Sequence, residues 1–282
     1  AGVMSPTTLA AAVIEHKANL GVALDGDGDR VLMVDATGKI YDGDLLLYVI
    51  ARHRRQKGEL KGGVVGTLMT NLALEQAFAR LDIPFARAKV GDRYVLEMLD
   101  KRGWKFGGEN SGHILCLDQH STGDAIVAAL QVLRALAESG QTLTQACAPV
   151  ALYPQAMINV PLKSRDMAWH TPTVAKAVAQ AERDLGKDGR VLLRPSGTEP
   201  LIRVMVEAVD AERLKELESI RTGHVQVRHV VGLVEQDAAL VPRALFVAPV
   251  GELGRNDGVD IGADLRVAKK IDGIFGGFEH VL

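Results

Sequence analysis

The residues in this sequence whose type and spacing best suit a functional site are three aspartates at every second position. In the stretch GVALDGDGDRVLMVD, Asp25, Asp27 and Asp29 are separated only by glycines and lie between two apolar runs. In extended backbone such side chains project to one side, and the glycines let the loop curl. Carboxylates this close repel one another by about 1 to 4 kcal/mol per pair unless a cation lies between them. The spacing therefore predicts a site for a divalent cation.

Magnesium is the cation that this loop favours. The calcium-binding helix-loop-helix template requires glycine at loop position six and glutamate at position twelve, where this chain has Arg30 and Ala36. Arg30 directly follows the last aspartate. A guanidinium beside Mg²⁺ suits phosphoryl transfer, because both groups then share the negative charge. A solvated acidic turn is the alternative interpretation.

Three further loops carry groups that could bind a sugar phosphate. GGENSGH, Gly107 to His113, offers several hydrogen-bonding groups as a polyhydroxyl ligand requires, although an ordinary polar hairpin would have the same pattern. RPSGTEPLIR, residues 194–203, combines two arginines, two hydroxyls and the amides around Gly197, which favours a bound phosphate over an ordinary turn between two strands. KVGDRYV places Lys89 and Arg93 near a helix N-terminus, where anions are favoured, although a purely structural strand-to-helix connection would have the same pattern.

The order of the predicted elements points to two kinds of folding unit. Up to about Pro149, predicted strands alternate with amphipathic helices, which favours an α/β layer around a mostly parallel sheet. From about Gln155 the order changes to strand, helix, strand, loop, strand and helix, which indicates a separate, smaller α+β module. Beyond about Ile220 the sequence has β-rich apolar fragments without a clear order of elements.

The bulk composition excludes several kinds of partner. With 282 residues, of which 47% are hydrophobic, the chain is long enough to fill two or three modest cores. The formal net charge is −2 and neither sign forms a long block, so neither nucleic acid nor a membrane is expected as a partner. Two cysteines without CxxC spacing, and the lack of an apolar run of about 18 residues, predict a cytoplasmic protein.

Taken in this order, the loops DGDGDR, KVGDRYV, GGENSGH and RPSGTEPLIRVMVE resemble those of the α-D-phosphohexomutase superfamily. The resemblance spans about residues 1 to 218 and is closest to the branch that interconverts glucosamine 6-phosphate and glucosamine 1-phosphate. Phosphomannomutases and phosphoglucomutases are the alternatives. The resemblance implies an isomerase of amino-sugar and cell-wall precursor metabolism that uses Mg²⁺-dependent phosphoryl transfer through a bisphosphate intermediate, with a small phosphosugar as its partner.

The implied fold is a mixed-sheet α/β domain of the phosphohexomutase type followed by a smaller α+β C-terminal domain. The resemblance divides the chain into the end of a second domain with the metal loop (1–41), a third domain with the sugar loop (42–153), a fourth, phosphate-binding domain (154–218) and an unassigned tail (219–282). The tail leaves the family pattern at about Ser219, as a frameshift, a gene fusion or an added module would cause.

The resemblance also implies roles for individual residues. Mg²⁺ would bind Asp25, Asp27 and Asp29, and Arg30 would lie beside the transferring phosphoryl group. The residues implied in substrate binding are Lys89, Arg93, Glu109, Ser111, His113, Arg194, Ser196, Gly197, Thr198 and Arg203.

One part of the family pattern has no counterpart in this sequence. Family members carry the nucleophilic serine, whose phosphorylated form also binds Mg²⁺, in an earlier domain within a Ser-His-Asn-Pro context. None of the seven serines here has that context, and the chain begins like the middle of a domain. We therefore expect little or no mutase turnover from this chain alone. A non-catalytic phosphosugar-binding fragment is the alternative from another functional class.

Overall fold

The computed structural model describes residues 5–162, 171–196 and 199–209, together with the backbone of a short strand at Ala248–Val250. The described strands form three sheets. The first is antiparallel, with β1 (Leu20–Leu24), β2 (Val31–Asp35) and β3 (Ile40–Tyr41) in that order. Helix α1 (Pro6–Glu15) packs on β1 at Gly21, where a Cβ would lie 2.6 Å from Val13 Cγ2. The aspartate loop therefore connects two fully paired strands.

The second sheet is the centre of an α/β/α layer. Its strands lie in the order β5 (Phe85–Ala88), β4 (Val64–Thr67), β6 (Phe106–Gly108) and β7 (Ile114–Cys116). The first three run parallel, and β7 is antiparallel to β6. The helices of this layer are α2 (Gly43–Gln56), α3 (Leu72–Arg80), α4 (Asp92–Arg102), α5 (Ala125–Ser139) and α6 (Leu143–Cys147).

Helices cover both faces of this sheet. Because side chains alternate along each strand, neighbouring residues contact the helices on opposite faces. Val64 packs into a larger core formed with α2, α3, α5 and α6, whereas its neighbour Val65 packs with Val95 and Leu99 of α4. The carboxyl ends of the three parallel strands meet at one edge. The loops that follow β4, β5 and β6 therefore lie together, and two of them are the KVGDRYV and GGENSGH loops.

The third sheet is antiparallel and belongs to the C-terminal part of the chain. Its strands lie in the order β11 (Ala248–Val250), β8 (Gln155–Pro161), β10 (Leu201–Ala208) and β9 (Gly189–Pro195). Helix α7 (Pro172–Leu185) packs against it through buried Val174, Ala181 and Leu185, and a short 3-10 turn at Gly186–Asp188 leads into β9. These residues form a hydrophobic core of their own.

The predicted fold class is confirmed, since a mixed α/β sheet precedes a smaller α+β unit. Helix α3 begins at Leu72 because the Asn71 side chain caps it, accepting from Ala73 N at 3.0 Å. The predicted domain boundaries stay predictions. The prediction for the tail, residues 219–282, lies outside the described residues except for the backbone of β11. None of the described helices is both long enough and apolar enough to cross a membrane.

Candidate functional site

The loop between β1 and β2 brings the three aspartates together. One carboxylate oxygen from each of Asp25, Asp27 and Asp29 lies within 4.8 Å of the other two. Asp25 closes the loop, because its Oδ1 accepts hydrogen bonds from the backbone N–H groups of Asp29 and Arg30, each at 3.1 Å. Gly28 has a φ of +72°, which a residue with a side chain rarely adopts. The glycine spacing thus permits the turn on which the convergence depends.

Arg30 lies against the same carboxylates. Its Nε donates to Asp25 Oδ2 at 2.6 Å and lies 3.5 Å from Asp29 Oδ1. Burial alone would raise the pKa of Asp25, but hydrogen bonds from Arg30 and Asp29 outweigh it and lower that pKa to about 2. Burial likewise disfavours the charge on Arg30, yet the two carboxylates raise its pKa. Asp25 and Arg30 are therefore both charged at neutral pH.

The aspartate loop has a donor set that fits Mg²⁺, which prefers oxygen ligands. Among the residues that the structure describes, none donates a hydrogen bond to the buried Oδ1 of Asp29, although buried polar atoms are usually paired. An ionised carboxylate has about four lone-pair sites, so the hydrogen bonds to Asp25 do not exhaust it as a ligand. The three aspartates can therefore hold a hard divalent cation.

The GGENSGH loop is bonded directly to the aspartate loop. His113 is buried, and its Nδ1 lies 2.9 Å from Asp29 Oδ2. The backbones also join, since Val31 N donates to Gly112 O at 3.1 Å and Arg30 forms an isolated antiparallel bridge with His113. Gly112 has a φ of +96°, and a Cβ there would lie 2.2 Å from Val31 O. The close approach of the two loops therefore requires glycine at this position.

Glu109 connects the GGENSGH loop to the loop that follows β5. Its Oε1 accepts a hydrogen bond from the backbone N–H of Gly91 at 2.8 Å. Ser111 lies exposed between Glu109 and His113. The structure thus places two of the residues predicted to bind sugar hydroxyls at the carboxyl edge of the parallel strands.

Lys89 and Arg93 lie exposed on either side of Gly91, which is the N-cap of α4. Lys89 Nζ lies 5.7 Å from the centroid of the Tyr94 ring, and Arg93 Nε donates to Glu97 at 2.8 Å. Both side chains end in flexible charged groups near a helix N-terminus, where an anion would be favoured. Neither side chain has a described contact with the three aspartates.

Arg194 and Arg203 lie directly opposite each other on β9 and β10. Such cross-strand partners project from the same face with Cβ atoms about 5 Å apart. Within the described ranges, neither buried Nε has a hydrogen-bond partner, and Glu199 Oε2 lies 3.7 Å from Arg203 Nη2. Burial, together with the charge of Arg203, lowers the pKa of Arg194. Two cations held this way favour a bound anion.

The loop between β9 and β10 continues this arrangement. Ser196 Oγ accepts a hydrogen bond from the backbone N–H of Glu199 at 3.3 Å. Gly197 and Thr198, which the sequence also predicts to bind phosphate, lie outside the described residues. We call the arginine pair Arg194 and Arg203, together with Ser196, the phosphate cradle.

Sequence reasoning missed how α5 supports the aspartate loop. The backbone N–H of Ala125, the first residue of α5, donates to Gly28 O at 2.9 Å. Gly123 packs on the His113 ring, since a Cβ there would lie 2.1 Å from Nε2. The available signal was the TGDA stretch, in which Asp124 caps the helix by accepting from Val127 N at 2.8 Å.

Comparisons with known proteins agree with this geometry. The family model described as phosphoglucomutase/phosphomannomutase, alpha/beta/alpha domain III, matches residues 42–153. The model of the C-terminal domain of the same family matches residues 157–221. The phosphoglucosamine mutase of Nitrosospira multiformis is 58% identical over 214 residues, a match that covers 76% of this chain and 46% of that protein. The chain therefore spans about half the length of the curated relatives it matches.

Solved structures share the fold at low sequence identity. A phosphoglucomutase/phosphomannomutase family protein from Burkholderia thailandensis aligns with a TM-score of 0.69 at 20% identity, covering 84% of this chain and 52% of that one. The N-acetylphosphoglucosamine mutase of Aspergillus fumigatus, in complex with GlcNAc-6P and magnesium, aligns with a TM-score of 0.63 at 22% identity, covering 77% and 48%. The two domain models together cover more than half of this chain. The chain belongs to the phosphoglucomutase/phosphomannomutase family, the α-D-phosphohexomutases.

Proposed function

We propose that this chain serves the interconversion of glucosamine 6-phosphate and glucosamine 1-phosphate. The opposed pair Arg194 and Arg203 is the observation that carries the proposal. Both side chains are half-buried, and within the described residues neither buried Nε has a hydrogen-bond partner, so a bound anion would be favoured between them. The relatives at 58% identity are named phosphoglucosamine mutases, which supports the amino sugar as the substrate.

In this proposal the two ends of the substrate are bound by different parts of the chain. The phosphate cradle holds the phosphate that does not react, and Gly197 and Thr198 of the same sequence motif would add to its binding. Glu109, Ser111 and His113 bind the sugar, and Lys89 and Arg93 add positive charge at the same edge of the sheet. Binding at the unreactive end positions the other end for reaction, which converts binding energy into rate.

The aspartate loop acts at the reacting end. Asp25, Asp27 and Asp29 are the residues that would hold Mg²⁺, and bound Mg²⁺ would neutralise charge on the transferring phosphoryl group. Arg30 is kept charged by Asp25 and Asp29 and adds a fixed positive charge beside them. None of the chain's seven serines has the family's nucleophile context, so turnover is expected to need a second segment that supplies it.

Calorimetric titration of glucosamine 6-phosphate into the chain, with and without Mg²⁺, tests the binding part of this proposal. Arg203→Ala removes one charge-assisted contact, so we expect the Kd to rise about 10- to 100-fold. Arg102→Ala, which removes an exposed arginine of α4, is the matched control and should leave the Kd unchanged. Equal affinity of the Arg203→Ala variant would contradict the proposal.

Complementation tests the catalytic part. The chain is mixed with the N-terminal half of the Nitrosospira relative, and glucosamine 1-phosphate formation is followed. Turnover that requires both segments and Mg²⁺ supports the mutase. Binding without turnover in any mixture indicates a non-catalytic phosphosugar-binding fragment, and faster turnover of glucose or mannose phosphates would overturn the amino-sugar assignment.

A further inference from the structure

Glu207 joins the C-terminal sheet to the α/β layer. It lies on β10 and is fully buried, and its Oε1 accepts a hydrogen bond from the backbone N–H of Leu72, the first residue of α3, at 2.7 Å. The same oxygen accepts from Gln155 Nε2 at 3.2 Å, while Oε2 accepts from Arg190 Nε at 2.5 Å. A buried carboxylate is stable only when it is paired and hydrogen-bonded, as this one is.

Arg190 completes the connection from β9. Its Nη1 donates to Leu68 O at 2.9 Å, and its Nη2 donates to Thr70 O at 2.7 Å. Both carbonyls belong to the loop that follows β4 in the α/β layer. We call Arg190, Glu207 and the loop residues 68–72 the junction cluster. Its contacts use the planar fork of the guanidinium, which fixes orientation as well as distance.

The loop of the junction cluster is itself tied to the sugar-binding edge through the start of α2. The backbone N–H of Asn71 donates to Asp44 Oδ2 at 2.8 Å. One residue earlier, Gly43 N donates to Asn110 O at 3.0 Å, and a Cβ on Gly43 would lie 2.1 Å from Glu109 O. The first turn of α2 therefore contacts both the junction cluster and the GGENSGH loop, and Gly43 leaves no room for a side chain on the loop side.

On the other side, the junction cluster shares its two strands with the phosphate cradle. Glu207 pairs with Arg190 in the β9–β10 register, and Arg203 pairs with Arg194 four residues further along. Four residues correspond to about 13 Å of strand, and an even spacing keeps all four side chains on one face. A rigid two-stranded segment thus connects the ion pair with the cradle.

We propose that Arg190 and Glu207 are positioning residues, whose ion pair fixes the phosphate cradle relative to the sugar-binding loop. A ligand that contacts both regions gains affinity when their separation is fixed, whereas an anion that contacts only the cradle does not. The identity of that ligand rests on the proposed function, but the positioning itself does not.

The first measurement compares a ligand that spans both regions with one that does not. Glu207→Gln and Arg190→Lys keep the side-chain volume and weaken the pairing. We expect the Kd of glucosamine 6-phosphate to rise about 10-fold in both, while that of inorganic phosphate stays within about 2-fold. Val204→Ala, in the core of the same sheet, is the control for destabilisation and should change the two constants equally.

The second measurement needs no ligand. Spin labels on Lys101→Cys in α4 and Glu182→Cys in α7 report the distance between the layer and the C-terminal sheet by pulsed electron resonance. Cys116 and Cys147 are buried, and burial raises the pKa of their thiols to about 11 and about 12, so they stay unlabelled. We expect a narrow distance distribution that broadens in Glu207→Gln and Arg190→Lys but not in Val204→Ala.

The outcomes separate the two proposals. If the unsubstituted chain binds no glucosamine 6-phosphate, the proposed function fails. The distance distributions alone then test the positioning role of Arg190 and Glu207. An unchanged distribution in both junction variants overturns the positioning role. The positioning role is also overturned if the junction variants bind both ligands and show a broadened distribution, yet keep the same ratio of affinities for glucosamine 6-phosphate and inorganic phosphate.

Discussion

At the residue scale, His113 makes the contact that relates the aspartate loop to the GGENSGH loop. Its Nδ1 lies 2.9 Å from Asp29 Oδ2, and its ring packs on Gly123. A group that holds a metal-binding carboxylate in one orientation raises the affinity of the site, because the carboxylate then loses less freedom when the metal binds. Under the proposed function, His113 would therefore influence the Mg²⁺ affinity without being a ligand itself.

Replacing His113 with alanine is expected to lower the Mg²⁺ affinity of the chain. Loss of such an orienting partner typically costs 10- to 100-fold in metal affinity, so we expect about a 10-fold weaker Kd by calorimetry. His120→Ala is the control, because the His120 side chain is exposed and, among the described hydrogen bonds, contacts only the backbone of Thr122. An unchanged Mg²⁺ affinity in His113→Ala would instead leave sugar binding as its role.

At the element scale, the carboxylate of Asp35 holds the β2–β3 hairpin and fixes it to α6. Oδ1 accepts from Thr37 Oγ1 at 2.6 Å and from the backbone of Thr37 and Lys39. Oδ2 accepts from Tyr41 Oη at 2.9 Å and from Thr144 Oγ1 of α6 at 2.7 Å. Burial would raise the pKa of Asp35, but these hydrogen bonds outweigh it and hold that pKa well below its ordinary value.

This arrangement predicts a loss of stability in acid. Below the ordinary carboxyl pKa of about 4, the unfolded chain binds a proton at Asp35 before the folded chain does, so the free energy of unfolding falls as the pH falls. We expect Asp35→Asn to lower that free energy by about 2 to 4 kcal/mol at pH 7 and to reduce its dependence on pH between 5 and 3. Urea denaturation at several pH values measures both effects.

The control for this prediction is Asp100→Asn, which changes an exposed aspartate on α4. That variant should follow the stability of the unsubstituted chain at every pH. If Asp35→Asn kept the full acid dependence, the effect would belong to other carboxylates and the assignment to Asp35 would be wrong.

The close contact between the aspartate loop and the GGENSGH loop leads to a second prediction at the element scale, for stability and Mg²⁺ binding. Gly112→Ala would place a Cβ 2.2 Å from Val31 O at a φ of +96°, so the loops must separate. We expect a loss of about 3 kcal/mol in unfolding free energy and weaker Mg²⁺ binding. Gly140→Ala, at a φ of +65° with open space around it, should cost only about 1 kcal/mol and leave Mg²⁺ binding unchanged.

At the scale of the whole molecule, the described part of the α/β layer and the C-terminal sheet each have a hydrophobic core of their own, and a polar junction connects them. The larger core contains Leu74 and Phe78 of α3, and the C-terminal core contains Ile202 and Val204 of β10. Polar and charged contacts, those of the junction cluster, connect the two regions. Because hydrophobic packing drives cooperativity more strongly than a few polar bonds do, each core can lose structure by itself.

Hydrogen exchange tests this independence. Val204→Ala should lower amide protection by about 2 kcal/mol in β8, β9 and β10, with little change in β4 to β6. Leu74→Ala should have the reverse effect, at about 3 kcal/mol. If either variant lowered protection equally in both sheets, the molecule would unfold as one unit.

Much of the architecture was predictable because its signals are local. The alternation of strands and helices predicted the α/β layer, and the change of order near Gln155 predicted a second unit with its own sheet. Asn71 and Asp124 cap α3 and α5, and Gly140 follows α5, so the ends of these helices also carry local signals. The roles assigned to single site residues, by contrast, stay predictions.

The sequence by itself determined which residue types are clustered: three alternating aspartates in one turn, and two arginines on strands joined by a short loop. Tertiary structure alone decided what these groups contact. His113 and Asp29 are separated by 84 residues, and Arg190 and Leu68 by 122. Such contacts depend on how sheets and helices pack, because the burial of distant apolar faces brings the two segments together. Local spacing in the sequence does not encode a partner that far along the chain.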